Sequence, residues 1–179
     1  ILYENLNRQQ HAPLKVHQNK LYLGQDGGVV FLDITGKVEA EMEIPTRGNI
    51  NVIEVDDEGN VFSGMDNGVI CRNEKMFYDG GGLKSITKMC WGRFEDREGL
   101  FFMGETSYPG NSKVYFNDGT LTRPAEIVSG EWMIMGIGYA RELAIITKEK
   151  LLINGLMAVK FEDITQCKIK PNWLYIGGN

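Results

Sequence analysis

Apolar residues fall in short runs along this chain, and glycine or Asp/Asn-rich clusters interrupt them. One stretch shows the pattern clearly. Asn51–Val55 (Asn-Val-Ile-Glu-Val) alternates in part, as a half-buried strand does, and Asp56-Asp57-Glu58-Gly59-Asn60 follows as a turn. Val61–Gly64 is the next strand, Met65-Asp66-Asn67-Gly68 the next turn, and Val69–Arg72 and Lys75–Tyr78 two further strands. Asn-Gly is a strong hairpin signal, because both residues tolerate positive φ. Earlier in the chain, Leu21–Gly24 and Val29–Ile34 flank Gln25-Asp26-Gly27-Gly28, and Thr35-Gly36 leads into Lys37–Ile44. Later, Leu100–Gly104 and Lys113–Asn117 flank the longer loop Glu105–Ser112. Leu143–Thr147, Leu151–Ile153 and Val159–Glu162 then make a fourth group. No window carries a sustained helical period with caps; the nearest, Gly138–Leu152, is rich in β-branched residues and ends near Asn154-Gly155. An all-β chain is expected.

The groups repeat. Leu21-Tyr22-Leu23-Gly24, Val61-Phe62-Ser63-Gly64 and Leu100-Phe101-Phe102-Met103-Gly104 share an aromatic-rich strand closed by glycine, with the closing glycines 40 residues apart. Weaker copies are Leu143–Thr147 and Trp173–Gly177. About 40 residues is what four short strands and their turns need, and is the size of a propeller blade. The expected fold is a β-propeller of four-stranded blades. A β-sandwich also has evenly spaced short strands, but not the same motif at the same offset. Residues 1–179 read as one domain of about four blades plus the start of a fifth. The chain stops at what matches the second strand of a blade, so an incomplete propeller, part of a longer chain, is expected. Leu21, Leu23, Val61, Phe101, Ile145 and Ile176 are the positions expected to face neighbouring blades, and the strand-closing glycine to let the next blade approach closely.

The run Leu21-Tyr22-Leu23-Gly24-Gln25-Asp26-Gly27-Gly28-Val29-Val30-Phe31-Leu32-Asp33-Ile34-Thr35-Gly36-Lys37 resembles the quinoprotein-type (PQQ-like) propeller repeat, with its Gly-closed strand, Gly turn and Leu-Asp strand end before Gly-Lys. Phe94–Gly104 and Asp56–Phe62 resemble the repeats of two-component-regulator sensor propellers. The resemblance is good over the first three groups and loose after them. It implies a fold rather than an activity, because propellers host many unrelated functions. The vicinal cysteine pair of the quinone enzymes is missing, so no cofactor is carried over. The Trp-Asp and Gly-His signatures of WD40 repeats and the Asp box of sialidase-like propellers are missing too.

Charge narrows the function classes. A formal net charge of −5 and a pI near 5.1 argue against a general nucleic-acid or anionic-membrane surface, which needs clustered Lys and Arg. No apolar stretch is long enough for a membrane-spanning helix, and Ile1–Pro13 holds no apolar signal core. Composition assigns no compartment. Cys71, Cys90 and Cys167 lack CxxC spacing and read as free, buried thiols rather than a disulfide or zinc set.

Catalytic chemistry has little to work with. His11 and His17 are the two histidines, and both precede the first clear strand motif. The acidic turns Asp56–Glu58 and Glu95–Glu98 lack EF-hand spacing and read as turns in which Asp bonds its own backbone. Gly80-Gly81-Gly82 lacks the lysine and helix of a phosphate loop and reads as an inter-blade loop. No metal or cofactor is assigned. A binding face is the stronger expectation, built by loops from outer strand to next blade and from second to third strand. It places Arg47, Lys84, Tyr108, Asn111 and Trp132 at the surface, residue types that anchor interfaces; the neighbouring apolar residues leave Trp91 and Trp132 equally open to a place in the core. The expected function is a non-catalytic protein- or glycan-binding or scaffolding module in a larger multi-domain or assembled protein, such as a sensor, adhesin or phage structural component. The alternative is a propeller hydrolase or lyase whose catalytic residues lie in blades outside this sequence.

Overall fold

Tight turns of two to five residues join successive strands within each of the first two sheets. The computed structural model describes residues 12–108, 111–121, 123–131, 134–137, 143–146, 150–153, 156–160, 166–170 and 173–177; from residue 130 onward, side chains are described at Met135, 143–145, Leu152 and Ile153. Among these residues there is no helix, and every strand is in an antiparallel sheet with its sequence neighbours. The first sheet holds β1 (Leu14–His17), β2 (Lys20–Gln25), β3 (Gly28–Asp33) and β4 (Val38–Glu43), and the second β5 (Ile50–Val55), β6 (Val61–Met65), β7 (Ile70–Arg72) and β8 (Lys75–Tyr78). The third holds β9 (Ser85–Phe94), β10 (Arg97–Glu105), β11 (Asn111–Asn117) and β12 (Ala125–Glu131). The fourth holds β13 (Ile134–Ile137), β14 (Leu143–Ile146), β15 (Lys150–Ile153) and β16 (Leu156–Lys160), and β17 (Gln166–Lys170) pairs with β18 (Trp173–Gly177).

The repeated unit is therefore a four-stranded antiparallel meander, and the aromatic-rich, Gly-closed strand is its second strand in each of the first three sheets. Five strands escape the sequence pattern: β1, β9, β12, β13 and β17. In β1 the burial alternation is shallow, and β9 carries exposed Thr87 and Lys88 in its middle. The fourth strand of the fourth sheet is Leu156–Lys160 rather than Val159–Glu162, because the turn after β15 is short.

The chain divides into two compact units, Ile1–Met89 and Cys90–Asn179. In the first unit, Tyr22, Val29 and Met42 of the first sheet pack with Ile53, Val55, Val61, Met65 and Cys71 of the second, joined by Ile44 and Ile50. In the second, Phe101, Val114 and Phe116 of the third sheet pack with Met135, Leu143, Ile145 and Leu152 of the fourth. Phe101 and Phe116 rings lie 4.9 Å apart. Each such side chain contributes about 1.5–3 kcal/mol when taken from water. Of the positions expected between sheets, Val61, Phe101 and Ile145 are fully enclosed and Leu23 is buried, whereas Leu21 is half-buried. The side chain of Ile176 lies outside the described residues.

The closing glycines do allow close approach. A Cβ on Gly64 would sit 2.6 Å from Ile86 Cγ2 and 2.9 Å from Val52 Cγ1, and one on Gly24 would sit 2.7 Å from Pro13 Cγ and 3.2 Å from Ile50 Cγ2. Both pairs of neighbours come from the unit's own first strands or the chain leading into them, and from the start of the next sheet.

One turn recurs. In residues 33–37, the Asp33 N–H donates to Lys37 O, Gly36 N–H donates to Asp33 O, and Asp33 Oδ1 accepts from Thr35 N–H and Lys37 N–H. In residues 56–60, Asp56 N–H donates to Asn60 O, Gly59 N–H to Asp56 O, and Asp56 Oδ1 accepts from Glu58 N–H and Asn60 N–H. Gly36 and Gly59 have φ of 83° and 84°, the left-handed conformation that closes a three-residue hairpin loop. The acidic turn at 56–58 is thus a self-bonded turn, as its sequence suggests.

The second copy is buried and extended into a network. Asp56 is 1% exposed; its Oδ2 accepts from Asn60 Nδ2 at 2.8 Å and lies 3.5 Å from the Arg72 guanidinium. Asn60 Oδ1 accepts from Asn73 Nδ2, and Asn73 Oδ1 accepts from Val61 N–H, so the turn before β6 is tied to the turn after β7. Replacing Asp56 by Ala leaves two part-buried N–H groups without their acceptor and removes the nearer carboxylate from Arg72, an expected loss of about 1–3 kcal/mol in urea unfolding. Asp33→Ala, at the exposed copy, is expected to cost clearly less.

Two turn carboxylates also set an acid limb. Asp33 is held below the ordinary carboxylate range mainly by the Thr35 hydroxyl and then by the Lys37 N–H, and Asp118 mainly by the N–H and hydroxyl of Thr120. A lowered native pKa stabilises the fold above the unfolded value of about 3.9, and that contribution fades as pH falls through the lower native value. Unfolding midpoints measured from pH 6 downward should therefore fall less steeply for Asp33→Asn and Asp118→Asn than for the parent chain.

Candidate functional site

Three loops of the first unit meet at one end of its sheets: residues 44–49 between β4 and β5, residues 66–69 between β6 and β7, and residues 79–84 between β8 and β9. The middle one is the hub. It has the same backbone as the turns above, with Met65 N–H donating to Val69 O and Gly68 N–H to Met65 O. Asn67 Oδ1 caps it from within by accepting from Val69 N–H.

The hub grips both neighbours. Asp66 Oδ1 accepts from Asn49 N–H at 3.0 Å and Oδ2 from Asn49 Nδ2 at 2.7 Å, while Asp66 N–H donates back to Asn49 O. Asn67 Nδ2 donates to Arg47 O at 2.7 Å. On the other side Gly68, with φ 83°, lies so close to Leu83 O that no Cβ fits between them. The loop at 79–84 is itself closed by Gly81 N–H donating to Asp79 Oδ1 and Leu83 N–H to Gly80 O. Gly80-Gly81-Gly82 therefore lies in a turn between sheets.

Arg47 and Lys84 flank this hub. Both are exposed, and among the described residues neither has an ion pair. Arg47 is held by its backbone carbonyl, which leaves the guanidinium free of structural duty. The structure thus brings the loops that carry Arg47 and Lys84 against the 66–69 turn.

Tyr108 and Asn111 belong to the second unit, in the loop between β10 and β11. Thr106 N–H donates to Asn111 O, Asn111 N–H donates to Tyr108 O, and Tyr108 stands at the tip, 73% exposed. Asn111 is half-buried and opens β11. Trp132 lies outside the described residues, as does His11. Trp91 is half-buried on β9, and His17 is half-buried on β1. Cys71 and Cys90 are buried thiols with no disulfide among the described residues, and burial pushes the Cys71 thiol up. Among the described residues no group of three His, Cys, Asp or Glu side chains could hold a metal ion.

Sequence reasoning missed Asp66, Asn67 and Asn49 as the builders of this rim. The signal was present in Asp66-Asn67-Gly68, but it was legible as a hairpin and not as a clamp on two other loops.

No protein-family model and no curated protein matches this sequence. Among solved structures, the computationally designed Ika8 protein is similar, with a TM-score of 0.62 at 15% identity over 93% of this chain and 55% of the designed one. At that identity the likeness is one of fold. The chain spans about half the length of that structure.

Clamp and rim separate experimentally. Asn67→Ala removes the bond to Arg47 O and the internal cap and is expected to cost about 1–2 kcal/mol in urea unfolding. Arg47→Ala and Lys84→Ala should each stay within about 0.5 kcal/mol of the parent.

Proposed function

We propose that this chain is a non-catalytic module of β-propeller type, part of a larger ring or assembly, whose loop rim binds a protein or glycan partner. Its strands support the reading by repeating as four-stranded antiparallel meanders with an aromatic, Gly-closed second strand. The observation that carries it is the rim at Asn67. Asp66 and Asn67 spend their hydrogen bonds holding loops in place, and on the two loops that meet them Arg47 and Lys84 are exposed with no ion pair among the described residues. A rigid support under free side chains lowers the ordering cost of binding. Tyr108, on its own closed loop, presents an aromatic of the kind enriched in interfaces.

The test uses the whole chain against arrays of neutral and acidic glycans and of immobilised peptides, read by biolayer interferometry. Binding by the parent that drops about tenfold or more in Arg47→Ala/Lys84→Ala, with unfolding unchanged, supports the rim as the site. Undiminished binding by that variant, or no binding beside turnover of a small molecule, removes the proposal.

A further inference from the structure

A second concavity lies away from the rim, at the outer edge of the second sheet. It is an open cavity of about 460 Å³ under the turn from β7 to β8, within the size range of small-molecule sites. Its apolar lining is Met42 from β4 of the first sheet, with Met76 and Phe77 from β8. Thioethers adapt their shape to varied apolar groups. Met76 is 60% exposed, a large apolar side chain in water at the lip.

The polar lining is of two kinds. Arg72 is fixed. Its guanidinium lies 5.6 Å from the centroid of the Phe62 ring and is drawn to Asp56 and Glu58 at 3.5 Å and 3.8 Å. Those distances are ion-pair distances, and among the described residues Arg72 makes no side-chain hydrogen bond, so its donors remain available. Asn73 beside it is locked by its bonds to Val61 N–H and Asn60. Glu74 and Lys75, in contrast, are exposed and have no ion-pair partner among the described residues.

Charge then selects the ligand. A simple anion meets Arg72 and Lys75 but is opposed by Glu74 and by the carboxylates behind Arg72. A simple cation meets Glu74 but is opposed by Lys75 and Arg72. A molecule carrying both charges satisfies both sets, and an apolar side chain on it covers Met42, Met76 and Phe77. We propose that this cavity is a binding site for a zwitterionic α-amino acid or short peptide with an apolar side chain. The carboxylate takes the donors of Arg72 and Lys75, the ammonium is received by Glu74, and the side chain lies on the two methionines and Phe77. The site shares no residue with the loop rim, so either can fail without the other.

The test is a titration of the whole chain, labelled at its methionine methyl groups, with L-phenylalanine, N-acetyl-L-phenylalanine and L-phenylalaninamide. Saturable shifts at Met42 and Met76 are expected with phenylalanine, and about fivefold weaker binding with each blocked form, as exposed charge pairs allow. Glu74→Gln should abolish the preference for the free over the acetylated amine, and Lys75→Gln should weaken the preference for the acid over the amide. Both positions are exposed, so the fold tolerates the changes. Absence of shifts at these two methyls up to the solubility limit overturns the proposal. So does equal binding of the three ligands, or an ammonium preference that survives Glu74→Gln.

Discussion

Everything in this chain depends on covering both faces of a small sheet. A meander of four strands with three to ten residues each is too small to hold a core of its own. The second sheet solves this by setting Ile53, Val55, Val61 and Met65 against Tyr22, Val29 and Met42 of the first. The third and fourth do the same through Phe101, Phe116, Leu143 and Ile145. Stacking of this kind works only where backbones can approach, and Gly24 and Gly64 stand where a Cβ would strike the start of the next sheet. The glycine that closes the second strand is therefore a packing residue as much as a turn residue.

The polar residues divide the remaining work between holding and presenting. At 56–60 and 66–68 the carboxylates and amides are consumed by backbone N–H groups and neighbouring loops. They supply partners that irregular backbone must find when it leaves a sheet. On the loops and turns next to these knots Arg47, Lys84, Glu74 and Lys75 are exposed, with no ion pair among the described residues.

The two surfaces differ in character as a result. The rim at Asn67 is a self-bonded turn that holds the loop of exposed Arg47. The cavity at Arg72 is concave, with an apolar floor and charges of both signs, and suits a small partner. The Asp56 network links the second of these to stability, since the same Arg72 that lines the cavity is anchored by a carboxylate 1% exposed.

The sequence by itself determined the all-β class, the 40-residue repeat and most turns, and placed the strand Lys75–Tyr78 to the residue. These are local matters. Alternation has a period of two, a left-handed glycine closes a hairpin within five residues, and both are written in neighbouring positions. Strands β1, β9, β12, β13 and β17 were not legible, because their place is decided by the strand they pair with and not by their own weak alternation. Only the tertiary structure decided that the loops of Arg47 and Lys84 both meet the 66–69 turn, that Lys15 meets buried Glu54 across two sheets, and that Met42 faces the Arg72–Phe77 hairpin. Each of those meetings joins residues far apart in the chain, and sheet stacking, which no local pattern encodes, is what brings them within reach. The glycine-closed aromatic strand thus marks where one sheet receives the next, and the chemistry sits in the loops and edges that this stacking leaves over.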